Sequence, residues 1–315
     1  MPLRTVFMGT ADLACASLKA LTRSSSFEVL GAVTQPDRPK GRELRLQPSP
    51  VKKTALEAGL RLWQPERARH PDFIRELAAL SPDLLVVAAY GQILSQAMLD
   101  LARLGGINVH ASLLPKYRGA APIQWAILDG QPETGVTIMK MAAGLDTGDI
   151  LSQRVIPIFG GDTAATLHDR LAEVGAELLV PTVVDYAEGK ITPRQQIEAE
   201  ASYARKITKE DGRLDWSQSA HTLWNRVRAF TPWPGAFTKI PANSGDRLLK
   251  ILRASVEENR QGNPGEILQS DKMGLVVACG QGALRIHELQ LEGGRKMTAA
   301  ELLSGHSLPV GLKLA

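Results

Sequence analysis

Strand-like and helix-like segments take turns along the first half of this chain, and few folds accommodate such a rhythm. Residues 4–9 read as a short apolar strand, 12–24 as a helix and 27–34 as a second strand. Helical patterns follow at 51–58, 72–80 and 95–104, with a short extended piece at 61–64 and another strand at 106–110. Residues 83–90, Asp-Leu-Leu-Val-Val-Ala-Ala-Tyr, form a nearly unbroken apolar run. Such runs belong to strands buried on both faces of a parallel sheet. The alternation predicts an α/β unit with an open, mostly parallel sheet and helices on both sides. Ligands of such sheets lie at the carboxyl ends of the strands.

The rhythm then changes. Residues 137–141 and 149–158 read as a hairpin around Gly144-Leu145-Asp146-Thr147-Gly148-Asp149, and 163–187 as a long helix. From 189 to 208 the chain is polar and irregular. Beyond it a helix at 219–229 and a Pro/Gly-rich turn at 231–235 precede short strands at 237–240, 248–254, 265–269, 274–278 and 283–291. That spacing predicts a small β-barrel. With 315 residues and 44% hydrophobic content, two domains are expected. Their bounds are 1–189 and 209–315, with 190–208 as linker.

Several classes are set aside by what the chain lacks. The first strand–helix turn, Gly9-Thr10-Ala11-Asp12-Leu13-Ala14, holds one glycine where a dinucleotide-binding turn needs three. No apolar run reaches the 18 or more residues of a membrane span, and the start shows no signal-peptide pattern. Cys15 and Cys279 have neither metal-knuckle nor redox spacing, and read as small buried apolar residues of a cytoplasmic protein. No metal site is expected. The net charge of +4 is unevenly placed. Residues 35–53 hold six basic side chains (Arg38, Lys40, Arg42, Arg45, Lys52, Lys53) against two acids, Asp37 and Glu43. Residues 205–315 hold 16 Lys and Arg against 11 Asp and Glu. A polyanionic partner fits this pattern; so does a solvated loop.

Chemistry concentrates in Gly106-Ile107-Asn108-Val109-His110-Ala111-Ser112-Leu113-Leu114-Pro115. Residues two apart on a strand share a face, about 6.6 Å apart. Asn108 and His110 therefore project together at the carboxyl end of a buried strand. An amide N–H and a ring N–H there could polarise a carbonyl and hold an oxyanion. Asp146 lies at the apex of the glycine-framed loop and, folded over His110, could set the charge of its ring and relay a proton. Each has an ordinary reading too, as a structural histidine and a turn-forming aspartate. The remaining histidines read as structural.

Taken together, three stretches resemble the folate-dependent formyltransferases: residues 108–115, Arg118-Gly119-Ala120-Ala121-Pro122-Ile123-Gln124-Trp125-Ala126-Ile127, and 144–149. The likeness extends to Gln35-Pro36-Asp37-Arg38-Pro39, Pro48-Ser49-Pro50-Val51-Lys52 and Arg228-Ala229-Phe230-Thr231-Pro232-Trp233-Pro234-Gly235-Ala236. It implies a Rossmann-like formyltransferase sheet followed by an OB-like barrel, and transfer of the formyl group of 10-formyltetrahydrofolate. Asn108, His110 and Asp146 become the catalytic groups. Ser112, Leu113, Leu114 and Pro115 would line the folate pocket with Ala142, Gly144 and Leu145, and Tyr90, Gly91 and Ile93 would wall the pterin. The acceptor implied is initiator methionyl-tRNA, gripped by Arg38, Lys40, Arg42, Arg45 and the barrel, with no membrane or obligate protein partner. A sugar-nucleotide amine as acceptor, or hydrolysis of the formyl-folate, would use a similar signature. The chain departs from the family at Ala11 and Leu13, where Pro and Phe are usual, and at Glu43, an acid beside Arg42.

Overall fold

The computed structural model describes residues 1–40, 45–241 and 245–315, except the side chains of Lys40 and Arg45. The chain divides into two compact units. The first comprises residues 1–122, 133–157 and 168–204; the second comprises 123–132, 158–167 and 205–315.

In the first unit the strands are β1 (Leu3–Gly9), β2 (Phe27–Val33), β3 (Arg38–Lys40), β4 (Arg45–Gln47), β5 (Leu62–Trp63), β6 (Leu84–Ala88), β7 (Gly106–His110), β8 (Arg118–Gly119), β9 (Glu133–Lys140), β10 (Ile150–Pro157) and β11 (Tyr203–Ala204). Among the described residues, seven form one sheet in the order β10-β9-β7-β6-β1-β2-β5. Pairing is parallel from β7 through β5, and β9 and β10 complete the sheet antiparallel. The sequence predicted this mostly parallel arrangement from its apolar runs. Every residue of β6 is buried, because helices cover both faces. Strand order reverses at β1: β2 and β5 lie on one side, β6 and β7 on the other. The loops after β1 and β6 thus flank the switch point where open sheets take their ligands.

Local chemistry sets the element ends. Ser49 caps the helix Pro50–Glu57, its side chain accepting from the Lys52 N–H at 3.0 Å, and Pro50 occupies the first turn, where no N–H is needed. The helix predicted over 95–104 is only one turn, Gln96–Leu99, because the chain turns at Asp100 and Gly105 takes a left-handed φ of 75°. Residues 190–204, polar and irregular in sequence, lie within this unit. Arg194 exchanges backbone hydrogen bonds with Ile150, and β11 pairs with β8.

In the second unit the strands are β12 (Ala236–Ile240), β13 (Arg247–Glu257), β14 (Ile267–Asp271), β15 (Gly274–Ala278), β16 (Ala283–Leu291) and β17 (Lys296–Thr298). Among the described residues their order is β12-β13-β16-β15-β14, antiparallel, with β17 on β16. Residues 312–315 close the gap between the two edges. Leu314 donates to the Gly265 carbonyl, Ile267 donates to Leu312, and Lys239 and Ala315 exchange backbone bonds. Closure satisfies edge groups that would otherwise be open to pairing. The core holds Leu223 and Val227 of the helix Ala220–Ala229 with Leu249, Ile251, Val277 and Leu284. Burial there pushes the Cys279 thiol up to about 12, so it is an inert apolar filler. The guanidinium of Arg228 stacks 4.0 Å from the Trp224 ring and donates to the carbonyls of Phe159 and Asp162. That anchors residues 158–167 in this unit. Among the described residues no helix is long and apolar enough to cross a membrane.

Candidate active site

Strand β7 buries Ile107 and Val109 and turns Asn108 and His110 to its other face. Asn108 is half-buried, and among the described residues no hydrogen bond engages its amide. It is a free donor at the end of a buried strand. His110 is only 6% exposed. Its Nε2 lies 3.0 Å from the Tyr117 carbonyl. A carbonyl only accepts, so the assigned tautomer puts the proton of the neutral ring on Nε2. Nδ1 then faces Asp146 Oδ2 at 3.7 Å, beyond direct hydrogen-bond range. An N–H at Nδ1 exists only in the doubly protonated ring, whose charge Asp146 is close enough to balance.

Asp146 arrives by a return path. Lys140, the last residue of β9, stands opposite Ile107, so the following loop must double back along β7 to bring Asp146 beside His110. Two close approaches make the path possible. A Cβ on Gly148 would fall 1.7 Å from the Lys140 carbonyl oxygen. Gly119, at φ 118°, donates its N–H to Asp146 Oδ2 at 2.8 Å while a Cβ there would meet the Ala204 carbonyl at 2.7 Å. Asp146 itself is left-handed, with φ 51°. Its main-chain carbonyl and that of Gly148 each accept from Gln196 Nε2 at 2.7 Å.

The segment 112–115 is held by one buried hydroxyl. Thr137 Oγ1 donates to the Ser112 carbonyl (2.6 Å) and accepts from the Leu114 N–H (3.1 Å) and Gln153 Nε2 (3.0 Å). Gln153 also donates to the Leu114 carbonyl, and Arg194 holds Gln153 in turn. Ser112 is spent on the Lys116 carbonyl, and Leu114 packs with Met139 and Ile150, while Leu113 and Pro115 remain half-exposed. Across from them Ala142 and Gly144 are exposed, as are Leu145 at 61% and Ile93 at 86%. Gly91 is exposed, whereas the Tyr90 ring sits in the core with Val33, Trp63 and Met98. Its hydroxyl has no partner among the described residues, and burial pushes it up to about 12. What Tyr90 offers is its carbonyl, which accepts from Thr10 Oγ1 and Gln35 Nε2, each at 2.8 Å.

The basic stretch forms a hairpin of β3 and β4. Arg42 and Glu43, and the side chains of Lys40 and Arg45, lie outside the described residues. Arg38 is exposed, 3.4 Å from Glu66. Lys52 is committed elsewhere, with Nζ 2.8 Å from Asp37 and 2.9 Å from Gln64. Those two partners hold the Asp37 carboxyl below the usual carboxylate range. Among the described residues no three His, Cys, Asp or Glu gather as a metal-ligand group.

Residues 3–183 match the formyl transferase family model, and residues 206–307 match that of the formyl transferase C-terminal domain. The chain belongs to the formyltransferase family. Methionyl-tRNA formyltransferase from Citrifermentans bemidjiense is 48% identical to it, over 98% of this chain and 95% of that protein. The same-named protein from Thiobacillus denitrificans is 50% identical over 99% of both. Among solved structures, HypX from Aquifex aeolicus bound to tetrahydrofolic acid shares the fold (TM-score 0.64, 21% identity, 96% of this chain and 47% of that one). So does WlaRD, a sugar 3N-formyl transferase (TM-score 0.65, 19% identity, 91% and 97%). This formyltransferase thus brings Asn108, His110 and Asp146 together, with the 112–115 and 142–145 segments in the same unit. The residues that hold them were missed by sequence reasoning. Thr137, Gln153, Arg194 and Gln196 lie far along the chain from what they support and form no local pattern. Arg118 left one signal, a charged residue inside the otherwise small and apolar part of the motif.

Proposed function

We infer that this enzyme transfers the formyl group of 10-formyltetrahydrofolate to the α-amine of initiator methionyl-tRNA. The observation that carries the chemistry is the convergence of a free amide, an imidazole and a carboxylate at the end of β7. The acceptor rests on full-length relatives named for methionyl-tRNA at 46–50% identity. The sugar formyl transferase relationship, at 19% identity, supports the fold alone.

In the transfer the methionyl amine attacks the formyl carbon, forming the new C–N bond. The Asn108 amide N–H donates to the formyl oxygen as negative charge develops there, and His110 lies beside it. Asp146 takes the proton from the attacking nitrogen, which becomes positive as it bonds. The C–N10 bond breaks and that proton passes to N10 of the departing tetrahydrofolate. Leu113, Leu114, Pro115, Ala142, Gly144, Leu145, Gly91 and Ile93 surround the folate, and Tyr90 fixes the loop that carries Gly91. The first unit, residues 190–204 included, carries the chemistry; the second unit and the basic residues Arg38, Lys40, Arg42 and Arg45 bind tRNA. The reaction needs no partner protein and runs in the cytoplasm, where charged tRNA is held.

The test is direct. Purified enzyme is given 10-formyltetrahydrofolate and charged initiator tRNA, and formyl-methionyl-tRNA is measured. Formate release without a formylated amine, or formylation of a sugar-nucleotide amine in preference to the tRNA, would defeat the reading.

A further inference from the structure

We propose that Gln196, oriented by the buried Arg118, is a positioning residue that sets the placement of the Asp146 carboxylate. The proposal rests on the reading of Asp146 as the group that takes the amine proton. Asp146 sits in left-handed backbone, a conformation strained for a residue with a Cβ and one that surrounding contacts must hold. One bond to its own side chain, the Gly119 N–H, restrains the carboxylate. The main chain at the apex and just after it is restrained by Gln196, whose single amide nitrogen donates both its protons, one to the Asp146 carbonyl and one to the Gly148 carbonyl.

This double donation requires the amide to be the right way round. Arg118 decides that. Its Nε donates to Gln196 Oε1 at 3.1 Å, and since a guanidinium only donates, the oxygen must face Arg118 and the nitrogen the two carbonyls. Arg118 is 1% exposed and is itself anchored at Nη1 by Glu198 at 2.8 Å. Its neighbours in sequence complete the arrangement. The Tyr117 carbonyl takes the His110 Nε2 proton, and the Gly119 N–H holds Asp146. Residues 117–119 therefore touch His110 and Asp146 through the backbone while the Arg118 side chain reaches Gln196, which holds the loop that carries Asp146. Gln196 is 8% exposed and within the same compact unit. Nothing in this set contacts the reacting atoms. It fixes where the carboxylate stands, and a misplacement of about 1 Å at such a group costs about 10²-fold in rate.

Gln196→Glu separates positioning from packing. It keeps the size and an oxygen for Arg118, removes both donors and adds a negative charge, setting a carboxylate against two carbonyls. With 10-formyltetrahydrofolate and charged initiator tRNA, its kcat is expected to fall about 10²-fold, with KM for both substrates within threefold of the unmodified enzyme. In the double variant with Asp146→Asn, Gln196→Glu is expected to add less than a threefold loss, because a positioning residue has nothing left to position. Circular dichroism reports folding; if Gln196→Glu does not fold, Gln196→Met, of the same length and without donors, is carried through the same cycle. A kcat within threefold of unmodified enzyme, a loss seen only in KM, or losses that multiply in the double variant would overturn the proposal. If the unmodified enzyme formylates but Asp146→Asn is fully active, the reading of Asp146 fails instead, and the proposal falls with it.

Discussion

Removing the Asn108 amide isolates one contribution to catalysis. The side chain is half-buried on β7 and makes no hydrogen bond among the described residues, so Asn108→Ala breaks no internal hydrogen bond. It leaves Ile107 and Val109, which pack into the sheet, unchanged. Stability should therefore move by less than about 1 kcal/mol. The amide matters only when charge appears on the formyl oxygen. Loss of one donor at a developing oxyanion costs about 2.7–4 kcal/mol, which is about 10²–10³ in kcat. The assay is formyl-methionyl-tRNA formation with both substrates saturating, paired with calorimetric titration of a formyl-folate analogue. The expected result is a kcat lowered by two to three orders of magnitude with folate affinity nearly unchanged. A kcat within a few-fold of the unmodified enzyme would show that Asn108 serves only the strand, and the oxyanion argument would be lost.

Other outcomes follow from the same geometry. Asp146→Asn keeps the acceptor for the Gly119 N–H but cannot take a proton, so turnover should fall about 10²–10⁴-fold with the melting temperature unmoved; equal losses in both would mean the aspartate is structural. Thr137→Val preserves shape but strands the Ser112 carbonyl and the Leu114 N–H in the interior, costing about 2–6 kcal/mol at about 1–3 kcal/mol for each of the two groups. Urea unfolding of that variant should also be accompanied by a raised KM for formyl-folate, and a cost below 1 kcal/mol would refute the hub role. Binding of tRNA should weaken about 50- to 150-fold for a fourfold rise in salt if about four phosphates are neutralised, and Arg42→Ala should lower the slope without touching folate binding. Salt-insensitive binding would leave the basic hairpin a solvated surface.

The sequence by itself determined most of the elements and singled out Asn108, His110 and Asp146 as the groups proposed to react. Strands β7, β15 and β16 begin and end where their apolar patterns do, since burial on one face imposes a period of two and burial on both faces, as in β15, an unbroken apolar run, and neither needs a partner to be legible. The same period placed Asn108 and His110 on one face. Tertiary structure alone decided how those groups are held. Tyr90 reads as a pocket wall until the sheet closes over its ring and leaves only its carbonyl to do the work. Lys52 counts as a free charge until Asp37 and Gln64 are seen to claim it. Residues 190–204 look like linker, yet they carry Gln196 to the Asp146 loop and Arg194 to Gln153. Residues 158–167 join the second unit because Arg228 donates to their carbonyls. In each case the partner lies 12 to 80 residues away. A hydrogen bond across such a separation leaves no periodicity in either segment, because one donor and one acceptor suffice and many residue types supply them.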